Sequence, residues 1–555
     1  MSWTLTPALR RPWLARDLRR ARSAAPVATK PETRPAPTPP PATGATRPSP
    51  TLRDWCGVFA MVFGMFMALM DIQIVTSSLT QIQGGLSATA DEIGWVQTSY
   101  LIAEVVMIPL SGTLSRLLST RVLFVTSAVG FTVMSTLCAF ATDLNQMIVF
   151  RALQGFIGGA MVPTVFPVVY VIFPPRQLAV AMVVISLILN LSSTLGPTIG
   201  GFLTDTYSWH WLFLVNIVPG SLVAVAVWLL IDIDKPDRTI MRRFDFAGLA
   251  SMALFLGCLE YVLEEGPRWD WFDDNTIFTA AIVSVSAAAF FFWRVLTYAQ
   301  PIVDLRAFTN RNFALGSFFT FVVGTGHFGA TYVIPLFLAE VRGFSAWQIG
   351  ATVVVTGIAQ MCVSPITAPL SRKVDLRLML GFGMVMFVLA VYLDAGLTNQ
   401  ASFGEFLVPQ IVRGIAMMFC FVPANLLALG SLPPDKLRNA AGLYNLMRNL
   451  GGAIGLATIG TILNDRLHFH WNRLIQDINP ARPAVQQFLD AQTNRFDPMI
   501  PGDPHQAAIQ MLANLVQREA LVLTFNDVIL MLGGLFIVAL ALMPLVRRPR
   551  SATAH

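Results

Sequence analysis

Asp71, Glu104 and Arg151 are ionisable side chains set deep within long apolar runs of this chain. An ionisable residue near the middle of a bilayer costs at least ~3 kcal/mol, so it is kept for pairing or for function. At 1.5 Å per helical residue, Asp71 lies roughly six residues, about 9 Å, from the outer end of its run. Arg151 lies at a similar depth in its own run, and Glu104 is near the middle of another. Depth alone lets Asp71 and Arg151 meet, with Glu104 about a turn or more further in. Burial penalises an ionised carboxylate, while a neighbouring guanidinium favours it. A carboxylate held between those two pulls can load and release a proton when its access to water changes. The alternative for the same residues is a permanent structural ion pair.

A second pattern concerns how helices meet. Ser192, Gly196, Gly200 and Thr204 fall four residues apart, and Pro197 and Gly201 lie beside them. On a helix these small residues form one nearly bare face. In water a glycine there costs about 1 kcal/mol against alanine, but in a membrane a small residue every fourth position lets two backbones touch. Proline adds a missing donor and a bend. The plainer reading is a static seam. The functional one is a gate that seals this helix against one of the opposite half. Glu260, His327, Arg413, Asn445 and Arg448 are further candidates, for a substrate cavity. Each has a simpler alternative in packing or in pairing with nearby polar groups. Phe and Met residues such as Met65, Met67, Phe319, Phe321 and Met417 to Phe419 could supply an adaptable apolar lining.

The elements that must position these residues follow from composition. The 555 residues are 54% hydrophobic and 13% charged, with a mean hydropathy of +0.61. A soluble protein of this size carries about 25% charged residues, so the chain is a polytopic membrane protein. The net charge of +6 lies largely in the first fifty residues and in short loops, and it does not indicate a nucleic-acid partner. The five cysteines are scattered with no CxxC or Cys/His cluster, which gives no sign of a disulfide framework or a metal site. No Gly-x-x-x-x-Gly-Lys-Ser/Thr loop is present, which argues against a nucleotide-driven pump. His468-Phe-His470 is the nearest approach to a catalytic cluster, and it lacks an acidic or Cys partner in sequence.

Apolar runs of bilayer-spanning length, about 20 residues, recur fourteen times. They lie near 55–77, 93–112, 121–141, 146–172, 178–203, 210–231, 245–264, 276–297, 313–339, 347–370, 377–395, 404–429, 438–463 and 526–546. Loops after even-numbered spans hold most of the Lys and Arg, for example Arg116 and Arg121, Lys235 to Arg243, and Arg372 to Arg377. Short loops after odd-numbered spans hold only Arg268 and Arg342. By the positive-inside rule both termini are cytoplasmic. Residues 1–52 form a Pro-, Ala- and Arg-rich tail, expected to be disordered and able to brush anionic lipid. Translation from a start upstream of the native one would account for them equally well. A second tail covers 548–555. Residues 464–525 are a long polar external connection, with a surface helix expected at Ala507 to Leu523. It reads as a solvated cap or as a docking surface for a partner.

A weak repeat joins the two ends of the chain. Leu114-Ser115-Arg116 with Arg121 matches Leu370-Ser371-Arg372 with Arg377, and Arg151 and Arg413 follow in the fourth and twelfth spans. Repeated halves are the mark of transporters that rock around a midplane site. Two six-helix bundles, 53–232 and 301–547, with two inserted helices at 233–300, account for the count.

Several motifs then agree in order. Leu69-Met70-Asp71-Ile72, Arg151-Ala152-Leu153-Gln154-Gly155, Gly196-Pro197 with Gly200-Gly201, Trp209 to Asn216, and Gly442 to Gly452 are present in turn. Residues 53–547 resemble the fourteen-span drug:proton antiporters of the EmrB/QacA type in the major facilitator superfamily. The resemblance implies an all-α membrane fold with 14 transmembrane helices, as two six-helix bundles plus two inserted helices. It also implies proton coupling through Asp71 and Arg151 and alternating access, and Glu104 joins that coupling group on its depth alone. The cargo would be amphipathic small molecules moved across an inner membrane, with the proton gradient as energy source and no cofactor. A periplasmic adaptor protein and an outer-membrane channel are implied partners, along with membrane lipids. Export of one endogenous compound such as a fatty acid, or uptake by symport, is the alternative. The loop between spans 2 and 3 departs from the family pattern, with Arg116 at its aspartate and Ser119 at its second glycine. The usual cytoplasmic latch is therefore in doubt, and Asp375 in the second copy is a substitute.

Overall fold

The computed structural model describes residues 50–89, 92–298, 301–433, 436–479, 481–497 and 503–546. Almost all of both expected tails, residues 1–49 and 548–555, lies outside the described residues.

Capping starts many of the helices. Thr51 and Asp54 form a reciprocal capping box at the start of α1, Leu52–Thr76, and Asp143 caps α5. The first half continues as α2 (Leu79–Leu86), α3 (Trp95–Leu118), α4 (Thr120–Ala139), α5 (Leu144–Gly158), α6 (Met161–Ile172), α7 (Pro175–Thr206), α8 (Trp211–Leu214) and α9 (Ile217–Leu230). The inserted pair is α10 (Phe246–Glu265) and α11 (Asn275–Thr297). The second half runs α12 (Arg311–Glu340), α13 (Ala346–Lys373), α14 (Leu376–Asp394), α15 (Phe403–Leu429), α16 (Leu437–Asp477), α17 (Pro483–Phe496) and α18 (Pro504–Leu542). Helices α5 and α6 share one span, interrupted at Gly159-Ala160, and α8 and α9 share another, interrupted at Val215-Asn216.

Among the described residues thirteen helices are long and apolar enough to cross a membrane. The remaining expected span, the fifth, is α7. Its 32 residues, Pro175–Thr206, are long enough to cross a bilayer. Large apolar side chains also stand exposed on the outward faces. Val218, Leu222, Val225 and Leu229 expose one stripe of α9, and Phe278, Ile282, Val285 and Trp293 do so on α11. That arrangement suits a bundle bathed in lipid, where apolar side chains need not be hidden. One apolar core is built mainly from α1, α3, α4, α6, α7 and α9, and a second draws wholly on residues 319 to 546.

The connection at 464–525 departs from the expected loop. Helix α16 runs unbroken to Asp477, and α18 begins at Pro504, so the surface helix expected at 507–523 is the start of the last span itself. Helix α17 packs on α18 between them. Arg466 and His470 of α16 both reach Asp527 Oδ2 of α18, at 2.6 and 2.9 Å. These contacts brace the two helices against each other, and His470 is engaged there. Among the described residues no group of three His, Cys, Asp or Glu side chains could hold a metal ion. Below, the end of the bundle bearing α17 is called distal, and the end where α1 begins and α18 finishes is called terminal.

Candidate functional site

Asp71 on α1 and Arg151 on α5 meet in the first half. Arg151 Nη1 donates to Asp71 Oδ2 at 2.6 Å, and both side chains are fully buried. Gln154 lies three residues after Arg151, so the two share a helix face. Gln154 Oε1 accepts from Arg151 Nη1 at 2.8 Å, and its amide nitrogen donates to Asp71 Oδ1 at 3.3 Å. The break between α8 and α9 places Asn216, whose amide donates to Asp71 Oδ1 at 2.8 Å and to Ser135 Oγ at 3.0 Å. Arg151 Nε donates to the Val96 carbonyl, and its guanidinium lies 4.4 Å from the centre of the Tyr100 ring. The carboxylate is thus held by one cation and two neutral amides. Isolated charges in such a place would be costly, and these are paired and hydrogen-bonded. Gln154 and Asn216 stand in motifs quoted above, so a signal for them existed. Nothing in the sequence pattern pointed to Ser135 or to Tyr100.

Glu104 is one helical turn from Tyr100 on α3 and lies within the electrostatic reach of Asp71, Arg151 and Arg448. It lines a cavity of about 660 Å³ between the halves, within the ~300–1,000 Å³ typical of ligand pockets. The first half contributes Gln73, Gln97, Leu101 and Pro197, and the second contributes His327, Phe328, Phe421 and Arg448. The lining reaches Ser77 at the end of α1, Gln97 near the start of α3, and Ile349 near the start of α13. The cavity therefore runs from mid-bundle to the distal helix ends. Glu260 of the inserted helix α10 also lines it, whereas the sequence left lipid-side packing as an equal alternative. Arg413 and Asn445 are not among the lining residues. Arg413 sits 3.7 Å from Asp394 and bonds Gln410, beside a separate void of about 10 Å³. The Asn445 amide donates to the Ala441 carbonyl of its own helix.

The terminal end is shut. Arg438 at the start of α16 reaches Asp234, in the connection after α9, at 2.6 Å. Asp234 also accepts from the backbone and hydroxyl of Thr120. Thr113 donates to the Ile302 carbonyl, and the Tyr170 hydroxyl lies 3.1 Å from the Asn425 side-chain oxygen. A Cβ on Gly112 would lie 2.8 Å from the Arg438 carbonyl oxygen, so α3 and α16 touch backbone to backbone. On this side Asp234, held to Thr120 of the first half, is bridged to Arg438 of the second. Asp375, the substitute suggested by the sequence, caps α14 and pairs with Arg377 at 2.9 Å.

The small face of α7 corrects another expectation. Gly196 abuts the Gln73 side chain, and a Cβ on Gly200 would come within 2.8 Å of the Ile74 carbonyl oxygen. Thr204 Oγ1 and Ser78 Oγ are 2.9 Å apart, and Ser192 is fully buried. The stripe therefore packs on α1 of its own half. The opposite half is met two positions away from Gly196, where Thr198 lies against Gly350 of α13. A two-residue step turns about 200° around the helix, so these contacts occupy opposite sides. Pro197 and Gly201 face the cavity.

Residues 61–456 match the Major Facilitator Superfamily model. The chain is 40% identical to the colistin resistance protein EmrB of Acinetobacter baumannii over 484 residues, covering 87% of this chain and 94% of the relative. It is 30% identical to the multidrug export protein EmrB of Escherichia coli K12 over 494 residues, covering 89% and 95%. The crystal structure of the human organic anion transporter MFSD10 (TETRAN) superposes with a TM-score of 0.53 at 14% identity, over 87% of this chain and 99% of that one. The last comparison bears on the fold.

Proposed function

The chain belongs to the major facilitator superfamily, and from that premise we propose that it is a proton-driven exporter of amphipathic compounds working by alternating access. The relatives named for colistin resistance and for multidrug export support the export direction. The observation that carries the reading is the Asp71–Arg151 pair, buried beside Tyr100, itself one helical turn from Glu104 on the wall of a cavity that both halves line. With the termini cytoplasmic, as the loop charges imply, the distal end faces outward and the cavity is in its release state. A proton arriving from that side neutralises Asp71 and frees Arg151 and the two amides to rearrange. The halves then rock about the midplane, the Asp234–Arg438 bridge parts, and the cavity opens to the cytoplasmic leaflet for the next cargo. The energy comes from the proton gradient, with no bound cofactor. The chain is placed in the inner membrane of a cell with an outer membrane. There the braced distal helices α16, α17 and α18 present a surface for a periplasmic adaptor that leads to an outer-membrane channel.

A second reading, export of one anionic amphiphile such as a fatty acid, is favoured by Arg448 on the cavity wall. The test of the main reading is a proteoliposome assay with the purified full chain. A pH gradient acid on the distal side should drive accumulation of a lipophilic fluorescent dye against its own gradient. Collapse of the gradient with a protonophore should stop it. Transport unaffected by the protonophore would contradict the reading. Gradient-driven transport of a fluorescent fatty acid without dye transport would favour the second.

A further inference from the structure

We propose that the inserted helix α10 forms a binding subsite for the cationic group of an amphipathic substrate, built from Glu260 and Glu264. This rests on the exporter reading and assigns the inserted pair a part in substrate choice. Both carboxylates line the 660 Å³ cavity, and residues four apart on a helix stand one above the other. Glu260 is only 7% exposed. Among the described residues no hydrogen bond or ion pair engages it, and its electrostatic neighbours are the acids Glu264 and Glu104. It is a buried acid lining a cavity, with no cation beside it among the described residues. A buried carboxylate of that kind is satisfied by a positively charged ligand or by a proton.

The neighbouring residue shows that the orientation is selective. Glu265 accepts from Thr98 Oγ1 at 3.3 Å and from the Trp269 indole at 3.2 Å, which ties α10 to α3. Trp95 stacks on Tyr261 at 5.4 Å in the same contact. On the other side Trp271 Nε1 donates to Thr461 of α16. Helix α10 is therefore fastened to both halves, and Glu265 is used in the fastening while Glu260 and Glu264 are left to the cavity. The cavity is charged unevenly. Carboxylates come from α3 and α10, Arg448 comes from α16, and the space between is apolar, with Leu101, Phe328 and Phe421. A ligand with an apolar body and a positive group gains from both surfaces.

Two ions of nearly the same shape and opposite charge test the proposal. Binding of tetraphenylphosphonium and tetraphenylborate would be measured by equilibrium dialysis on the detergent-purified full chain. Glu260→Gln and Glu264→Gln should each weaken tetraphenylphosphonium binding about tenfold, the effect of roughly 1.4 kcal/mol. Tetraphenylborate binding should be unchanged or tighter. Glu265→Gln, the same charge change one position on, should leave tetraphenylphosphonium binding intact. Unchanged tetraphenylphosphonium binding in both cavity variants would overturn the subsite. So would an equal loss in Glu265→Gln, which would reduce it to a general field effect. Loss of both ions together would likewise overturn it, by pointing to a disturbed cavity. Monodisperse elution of each variant in gel filtration is the check on folding, and Glu260→Asp should recover part of the cation affinity. If wild type exports uncharged amphiphiles on a pH gradient but binds no tetraphenylphosphonium, the subsite fails and the exporter stands. If it binds the cation through Glu260 but shows no gradient-driven transport, the exporter reading fails and the subsite stands.

Discussion

The two halves each bury an arginine–aspartate pair, and the two pairs are built differently. In the first half Asp71 and Arg151 are 2.6 Å apart, and Gln154 and Asn216 donate two further hydrogen bonds to the carboxylate. In the second, Asp394 and Arg413 are 3.7 Å apart, and Asp394 Oδ1 has no hydrogen-bond partner among the described residues. The first pair packs on Tyr100, one helical turn from Glu104 and the large cavity that Glu104 lines. The second is walled by Ala330, Val333, Phe387 and Leu532 around a void of about 10 Å³, room for about one water at most. The difference teaches that a buried ion pair is not by itself a proton site. Buried pairs often add little stability. What sets the first apart is a set of neutral donors that can hold the carboxylate in either state, next to space that water and cargo can enter. In the second, rearrangement has nowhere to go.

Mutations in each of the two pairs sharpen this contrast. Arg151→Ala should have the largest effect. Breaking a buried pair from one side costs about 3–5 kcal/mol, so gradient-driven export in inverted vesicles should fall by at least about 100-fold. Residual export above a tenth of wild type would weaken the comparison. Asn216→Leu removes one amide and keeps the arginine. A hydrogen bond to a charged group is worth about 1.5–3 kcal/mol, so export should fall about tenfold, with the surviving activity shifted along the pH axis. No shift in the pH profile would mean that the amide only packs. Asp394→Asn should have the smallest effect on export, within about twofold. It should lower the unfolding free energy of the purified protein by about 3–5 kcal/mol, read as an earlier denaturation midpoint. Loss of gradient dependence in Asp394→Asn would break the comparison outright, by making the second pair a coupling site.

The same contrast explains what could be read in the sequence. Fourteen spans, the superfamily fold and the meeting of Asp71 with Arg151 all follow from strong signals, since apolar length and intramembrane charge are costly to place otherwise. Arg413 corresponds to Arg151 in the weak repeat, each the one arginine of its apolar run, and reads as a cavity candidate or as a partner of nearby polar groups. Its surroundings are supplied by α14 and α18 from elsewhere in the chain, which no local pattern displays. The stripe at Ser192 to Thr204 correctly announced a close backbone approach, but its partner is α1. Spacing defines a face without naming what covers it. The long connection at 464–525 read as a loop because its polarity marks the end of the apolar band, while helical hydrogen bonding continues past that point. The bridge from Asp234 to Arg438 spans 204 positions and lies at the edges of two helices. Only the closed arrangement of the halves brings it together.

The central claim is that Asp71 and Arg151 act as one unit in coupling, and a double-mutant comparison tests it directly. Export driven by a pH gradient would be measured in inverted vesicles for Asp71→Asn, Arg151→Ala and the double variant, alongside substrate binding to each purified protein. The expected result is that all three bind substrate, none responds to the gradient, and the double variant is little worse than either single one, because both changes act on the same step. Full gradient-driven export by Asp71→Asn would contradict the claim and move the proton site elsewhere, with Glu104 the next residue to test.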